Sequence, residues 1–269
     1  DGFKECTDGG AAGAEVCYSG SLKKFSECKE VCDPKFQYDS SNCTGDKVLT
    51  GNSCGGKYEK CIEPLQYLYS DRTLSAEIIP GKSVIGIAVD PENRLAVAID
   101  YIMTTGWGGY GIDIPTLENT PSSGAGIYVR GERDSYLIRD GKANTAKILA
   151  YGRSNGISYP AAEAAYNYQP GSCSSSSWCG RGSWYLPSNW QVFPYFDNRA
   201  TIHLMLKAIN KMPDDWWYTR NDFYTVTSNE INAKESGFIY INTGGMAHGG
   251  KNLTEPDNLQ TLVLPYITY

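Results

Sequence analysis

The sequence is short of histidine and of long apolar runs, and it has no excess of positive charge. Its 269 residues contain two histidines, 24 lysines and arginines, and 30 aspartates and glutamates, which gives a formal net charge of -6. Nothing collects the basic residues into the positive stripe that a nucleic-acid groove needs. No apolar run is close to the length of about 20 residues that a membrane-spanning helix needs. We therefore expect neither a nucleic-acid partner nor a membrane span.

The scarcity of histidine also limits the chemistry that the chain can perform. A Ser-His-Asp or Cys-His arrangement needs a histidine beside the nucleophile. His203 lies off the apolar stripe of a predicted helix at residues 202–209, so we expect its side chain to face solvent. His248 lies in the glycine-rich residues 244–250, which we expect to form a surface loop. The sequence therefore predicts a protein that is not an enzyme.

Cysteine, in contrast, is abundant, and it is concentrated near the start of the chain. Seven of the nine cysteines lie within residues 1–64, and three of them recur 26 residues later; the seven are Cys6, Cys17, Cys28, Cys32, Cys43, Cys54 and Cys61. Such density indicates a disulfide framework, and we predict a module of two 26-residue repeats over residues 1–64. A zinc site is disfavoured because only Cys28 and Cys32 have the short spacing that zinc prefers. Since nine is odd, one thiol stays free, pairs with another chain or pairs with a separate partner.

The cysteine pattern and the first residues together indicate export. Disulfide frameworks form in oxidising compartments outside the cytosol. Residues 1–5 are polar and lack the apolar stretch of a signal peptide, which suggests a terminus produced by processing. We therefore expect an extracellular or cell-surface location.

The rest of the chain has the pattern of an α+β domain over residues 80–269, joined to the cysteine-rich module by a linker at residues 65–79. Residues 84–89 and 94–99 are β-rich runs around a proline-containing turn, which predicts a hairpin. Apolar spacing and composition predict helices at residues 144–151, 160–168 and 202–209, and strands at residues 223–227, 237–242 and 261–269. In the last strand, Leu262, Leu264 and Tyr266 alternate with their neighbours.

An ordered series of short motifs in this second part resembles a known family. The motifs are WGGYG at residues 107–111, DGKANT at 140–145, YPAA at 159–162, WYLPS at 184–188 and FYTVTSNE at 223–230. In this order they resemble the DUF1566 family, which is similar to the C-terminal domain of the Legionella collagen-like adhesin and to Fibrobacter-type paralogous surface domains. The resemblance covers roughly residues 80–269. It implies a C-type-lectin-like fold: a mixed sheet, two or three helices, and long loops that present ligand contacts.

Two features depart from that family pattern. After a capping box at Ser188 and Gln191, we expect Pro194 to interrupt the helix that usually runs on in the family. An insert at residues 171–182 carries Cys173 and Cys179, which either close a small surface loop or pair with another chain.

The candidate ligand contacts are aromatic side chains in these loops. Trp107 and Tyr110 lie among glycines, and Trp216, Trp217 and Tyr218 form a second group. Exposed tyrosine and tryptophan supply rigid contact area for sugars or protein partners, although the same residues also serve to fill the core of a loop-rich domain.

Metal binding has one weak candidate. Glu255, Asp257 and Asn258 superficially resemble the sugar-binding Glu-Pro-Asn tripeptide of calcium-dependent lectins, with aspartate in place of asparagine. Ca²⁺ takes six to eight oxygen ligands, which these residues alone do not supply. We therefore expect no cofactor, with calcium as the alternative.

The function that these observations favour is an adhesin-like, cell-surface or secreted bacterial protein that recognises a glycan or a protein. The alternative is a structural subunit of an extracellular filament or sheath, which self-associates through the cysteine-rich module and the aromatic loops. The odd cysteine and the 20 tyrosines favour that alternative, because contacts that do not close on themselves make fibres.

Overall fold

The computed structural model describes residues 15–18, 21–24, 48–53, 58–62, 65–104, 106–119, 127–128, 140–211, 224–240, 246–252 and 261–269. The chain divides into two compact units, Asp1–Pro64 and Leu65–Tyr269.

In the first unit, the described residues form two β-hairpins. Strand β1 (Glu15–Tyr18) pairs antiparallel with β2 (Ser21–Lys24). Strand β3 (Val48–Ser53) pairs antiparallel with β4 (Tyr58–Ile62). Cys17 lies in β1 and Cys61 in β4, whereas Cys6, Cys28, Cys32, Cys43 and Cys54 fall outside the described residues. The two-repeat organisation and the disulfide framework among these seven cysteines therefore stay predictions.

In its described residues, the second unit contains two sheets that are almost wholly antiparallel. Its strands, in chain order, are β5 (Gln66–Tyr69), β6 (Leu74–Ser75), β7 (Val84–Asp90), β8 (Leu95–Ala98), β9 (Ile102–Thr104), β10 (Ile127–Tyr128), β11 (Tyr224–Glu230), β12 (Glu235–Tyr240), β13 (Met246–Gly250), β14 (Thr261–Val263) and β15 (Tyr266–Thr268). Among the described residues, one sheet has the order β10-β13-β12-β11-β14-β9 and the other β15-β8-β7-β5-β6. Of the strand pairs within the described residues, only β11–β14 is parallel.

Four helices accompany these sheets in the described part of the chain: α1 (Gly141–Asn155), α2 (Pro160–Asn167), α3 (Asn189–Asp197) and α4 (Arg199–Ala208). Helix α1 begins where the Asp140 side chain accepts a hydrogen bond from Ala143 N, and it ends at Gly156, whose left-handed backbone suits glycine. The α+β class predicted from the sequence is thus confirmed. The finer C-type-lectin-like assignment stays a prediction.

Alternation along β8 shows how the five-stranded sheet is buried on both faces. Leu95 and Val97 pack into a core with helices α3 and α4, whereas Ala96 and Ala98 face a second cluster that contains Trp184 and the Cys173–Cys179 disulfide. A third cluster lies on the six-stranded sheet under α1, α2 and the loop at residues 106–119. Successive apolar residues of β8 therefore point into two different cores. Alternation along this strand does not indicate that one face of the sheet is exposed to solvent.

Several local predictions agree with the structure. The hairpin at residues 84–89 and 94–99 corresponds to β7 and β8, which pair antiparallel. The predicted helices correspond to α1, α2 and α4. The apolar stripe of α4 lies on the core, with Ile202 and Leu206 buried and Met205 and Ile209 packed against them.

Other predictions were wrong for identifiable physical reasons. Residues 65–79, expected to be a linker, supply β5 and β6 to the five-stranded sheet. The predicted strand at residues 261–269 is two strands in different sheets, and β14 and β15 are separated by Leu264 and Pro265. The described residues also contain four helices, not two or three, because α3 forms.

The additional helix α3 forms in spite of Pro194. Its capping box is present, since Ser188 Oγ accepts from Gln191 N and Gln191 Oε1 accepts from Ser188 N. Pro194 was expected to interrupt the helix, but α3 continues to Asp197. Buried apolar side chains on both sides of the proline, at Val192, Phe193, Tyr195 and Phe196, outweigh the missing backbone donor.

Candidate functional site

The loop at residues 106–119, here called the anchored loop, combines a buried base with an exposed tip. Tyr110 at its tip is 50% exposed. Asp113 and Asn119 are also exposed, and Asn119 Nδ2 donates to Asp113 Oδ1 at 2.9 Å. The loop therefore presents an aromatic ring, a carboxylate and an amide at the surface.

Trp107 fastens the start of the anchored loop to the six-stranded sheet. Its indole is only 1% exposed, and Nε1 donates to the carbonyl oxygen of Thr227 in β11 at 2.8 Å. The indole also meets Tyr159 edge to face, with ring centroids 5.5 Å apart. The prediction that Trp107 is a ligand contact was wrong, because the side chain fills the core.

Lys251 holds the anchored loop from the other side. Its carbonyl oxygen accepts hydrogen bonds from Trp107 N and Gly108 N, both at 3.0 Å. Its ammonium group lies 4.8 Å from the centre of the Trp107 ring and donates to Ile112 O at 2.6 Å. It also contacts Glu230 Oε1 in an ion pair in which both side chains are 0% exposed. Glu230 Oε2 in turn accepts from Ile114 N at 3.1 Å.

Burial opposes ionisation in this ion pair. Loss of solvation raises the pKa of Glu230 and lowers the pKa of Lys251, and their mutual hydrogen bond and charge attraction act in the opposite direction. A buried ion pair contributes little net stability compared with apolar residues of the same volume, but removing one partner is costly. Sequence reasoning missed this pair, because a lysine in a glycine-rich segment normally indicates a solvated position.

The glycines of the anchored loop allow a close approach of the backbone to Tyr159. A Cβ atom at Gly109 would lie 2.4 Å from Tyr159 Cε1, and one at Gly108 would lie 2.7 Å from Tyr159 Cα. Both glycines have positive φ angles, 100° at Gly108 and 62° at Gly109, which residues with side chains rarely adopt. The WGGYG motif therefore places the Trp107 side chain in the core while its tyrosine stays at the surface.

Three of the other sequence motifs meet in a buried polar network. Asn144 Nδ2 donates to Ser228 Oγ at 3.2 Å, and Thr145 Oγ1 accepts from Leu186 N at 3.0 Å. Ser228 N donates to Pro187 O at 2.7 Å. Because these groups are buried and hydrogen-bonded to one another, these residues of three motifs hold helix α1, residues 186–187 and strand β11 together.

The disulfide-bonded insert forms a second surface feature. Cys173 and Cys179 are bonded, with their Cα atoms 5.7 Å apart, which confirms the predicted pair within one chain. Both cysteines are buried, whereas Ser174, Ser175 and Ser176 are exposed. The insert thus presents a short serine-rich loop at the surface, and the disulfide closes the base of that loop.

The two histidines lie in less exposed places than we expected. His203, predicted to face solvent, is half-buried on α4, which packs against α3. His248, predicted to lie in a loop, is in β13 opposite Gly237, and its Nδ1 atom is 3.3 Å from Glu235 Oε1. Neither prediction of a surface histidine holds, because both segments are covered by neighbouring elements.

The remaining candidates fall in segments that the structure does not describe. Trp216, Trp217 and Tyr218, and the weak calcium candidates Glu255, Asp257 and Asn258, lie outside the described residues. Among the residues that are described, no group of three or more histidine, cysteine, aspartate and glutamate side chains is arranged to hold a metal ion. No helix in this same part of the chain is both long and apolar enough to cross a bilayer.

Comparison with known proteins gives a likeness at the level of fold. No family model matches the chain, and no curated protein matches it. Among solved structures, the chain is similar to a fimbrial protein from Bacteroides ovatus, with a TM-score of 0.50 and 14% sequence identity. The match covers 76% of this chain and 48% of the fimbrial protein, so the chain spans about half the length of that protein.

Proposed function

We propose that this chain is an exported surface protein that binds a glycan or a protein through its second unit, as an adhesive component of a fimbria-type appendage. The observation that carries the proposal is the anchored loop, whose base is fixed by Trp107 and Lys251 while Tyr110 at its tip is half exposed. A rigidly held tyrosine gives contact area without a large loss of conformational entropy on binding.

The fold likeness supports the surface location of this function. The similar structure is that of a fimbrial protein, and fimbriae are extracellular. The Cys173–Cys179 disulfide is consistent with an oxidising compartment. The C-type-lectin-like character inferred from the motifs belongs to the same proposal, because that scaffold presents ligand contacts on long loops.

A glycan array tests the binding role, with the full chain as the probe. We expect the wild-type protein to bind a defined subset of glycans, and Tyr110→Ala to weaken that binding about tenfold, equivalent to about 1.4 kcal/mol. Tyr166→Ala is the matched control, because Tyr166 is 37% exposed but lies on α2. An equal loss of glycan binding in both variants, or no loss in either, would count against the anchored loop as the binding surface.

The second candidate function is a structural filament subunit. The fold likeness to a fimbrial protein favours it, as does the odd number of cysteines, which leaves a thiol available for another chain. Light scattering with and without a reductant separates the two functions. Extended particles that shrink on reduction would support covalent assembly, whereas compact single particles under both conditions would favour the adhesive role.

A further inference from the structure

The ion pair between Lys251 and Glu230 differs from other described ion pairs in its complete burial. The side chains of Lys82 and Asp71 are 37% and 51% exposed, and those of Lys211 and Asp100 are 39% and 40% exposed. Neither partner of the Lys251–Glu230 pair is exposed at all. Keeping two charges out of water is costly, so a group in such a place tends toward its neutral form.

The Lys251 amine lies against the Glu230 carboxyl group, and the second oxygen of that carboxyl group already accepts a hydrogen bond. Lys251 Nζ contacts Glu230 Oε1, while Glu230 Oε2 accepts from Ile114 N at 3.1 Å. The Trp107 ring, 4.8 Å from Nζ, closes one side of the site. An N–H donor on Oε2 polarises the carboxyl group and would stabilise negative charge that develops on that oxygen.

The electrostatic environment favours the reactive protonation states. Burial raises the pKa of the Glu230 carboxyl and lowers the pKa of the Lys251 amine. Transfer of one proton from the ammonium to the carboxylate leaves a neutral amine, which is a nucleophile, beside a neutral carboxylic acid, which is an electrophile.

We propose that Lys251 and Glu230 condense to form an intramolecular amide cross-link between Nζ and the Glu230 side-chain carbon Cδ. The amine lone pair attacks Cδ, the N–C bond forms, and the negative charge passes to Oε2, where Ile114 N–H stabilises it. The attacking nitrogen loses a proton to Oε1, which leaves as water as the carbonyl re-forms on Oε2. The products are one amide and one water, so the step needs no oxidant and no cofactor.

The cross-link would join the end of β11 to the residue that follows β13, closing a covalent connection between positions 21 residues apart. It would also fix the base of the anchored loop, since the Lys251 carbonyl accepts from Trp107 N and Gly108 N. Unlike a disulfide, an amide withstands reduction. The cross-link forms independently of the ligand that the loop binds.

The intact mass of the full chain, measured after denaturation and reduction, tests the proposal. We expect a mass lower than that of the sequence by one water molecule. Trypsin should fail to cleave after Lys251 and should yield a branched peptide that contains Glu230. Lys251→Arg is the matched control, because it keeps the positive charge but cannot form this amide, and its mass should equal that of its sequence.

Two outcomes would overturn the cross-link. A wild-type mass equal to that of the sequence, with normal cleavage after Lys251, would mean that the two residues form only an ion pair. The same loss of water in Lys251→Arg would place the dehydration elsewhere. The wild-type measurement decides the matter even if the variant does not fold.

Discussion

The indole Nε1 of Trp107 donates a hydrogen bond of 2.8 Å to the carbonyl oxygen of Thr227, a residue 120 positions away in the chain. This bond joins the anchored loop to β11, one of the two central strands of the six-stranded sheet, and all of β11 is buried. Trp107 is therefore part of the support for the proposed binding surface, although it does not belong to that surface.

Replacing Trp107 by phenylalanine tests this support. The change leaves the Thr227 carbonyl oxygen buried without its indole donor, which alone should lower the free energy of unfolding by about 1–3 kcal/mol. Urea unfolding followed by circular dichroism measures the difference. The control Tyr110→Phe, at a half-exposed position, should stay within about 0.5 kcal/mol of the wild type. Equal stability of Trp107→Phe and the wild type would contradict the anchoring role.

The glycines of the anchored loop give a prediction with an internal control. Gly111→Ala places a Cβ in open space at a φ angle of 84°, so it should cost only the strain of a left-handed backbone, about 1–2 kcal/mol. Gly109→Ala has similar strain and in addition forces its Cβ to 2.4 Å from the Tyr159 ring, which should add about 1–3 kcal/mol. Thermal unfolding of both variants checks the order. Equal destabilisation of the two variants would mean that the Tyr159 ring moves away from the new Cβ without lowering stability.

Two buried tyrosine hydroxyls should respond differently to removal. Among the described residues, Tyr159 OH has no hydrogen-bond partner, whereas Tyr168 OH donates to Asp100 Oδ2 at 3.0 Å. Tyr159→Phe should leave stability unchanged or increase it, because it removes an unsatisfied polar group. Tyr168→Phe should cost about 1 kcal/mol. If denaturant titration shows the larger loss for Tyr159→Phe, that hydroxyl has a partner outside the described residues.

Alkaline pH should weaken the fold through buried tyrosines. Burial raises the pKa of Tyr159 and of Tyr185 from 10.0 to about 12. The folded state therefore binds these phenolic protons more tightly than the unfolded chain. The resulting stability is complete below pH 10 and is lost as the pH rises through 12, by roughly 1–3 kcal/mol for each tyrosine.

Denaturant titrations at several pH values between 10 and 12 measure this loss, and the ultraviolet absorbance of tyrosinate reports the ionisation itself. The Tyr159→Phe variant should lose less stability over the same interval, because one of the buried phenol groups is then absent. An identical pH dependence in the variant and the wild type would show that Tyr159 ionises as readily in the folded state as in the unfolded state.

Local patterns predicted the elements whose signals lie within a few residues. The stripe of Ile202, Met205, Leu206 and Ile209 marked α4, and the turn at residues 90–93 marked the hairpin of β7 and β8. The capping box at Ser188 marked the start of α3, but its end could not be predicted. Whether a helix continues beyond Pro194 depends on tertiary packing, which cannot be inferred from the neighbouring residues in the sequence.

Long-range contacts account for the predictions about the site that were wrong. Trp107 among glycines had the pattern of an exposed aromatic, and only the approach of Thr227 and Tyr159 explains its burial. Nothing near Lys251 in the sequence indicates that Glu230 is its partner. Residues that act through partners far along the chain therefore escape sequence reasoning, whereas Cys173 and Cys179, six residues apart, did not.

The most direct test of the central claim is immunogold electron microscopy of intact, unpermeabilised cells, with an antibody raised against the purified full chain. Because we propose an adhesive component of a fimbria-type appendage, we expect gold particles on extracellular filaments. Cells that lack the gene should carry no label. Label that appears only after the cells are permeabilised would contradict the proposed surface function.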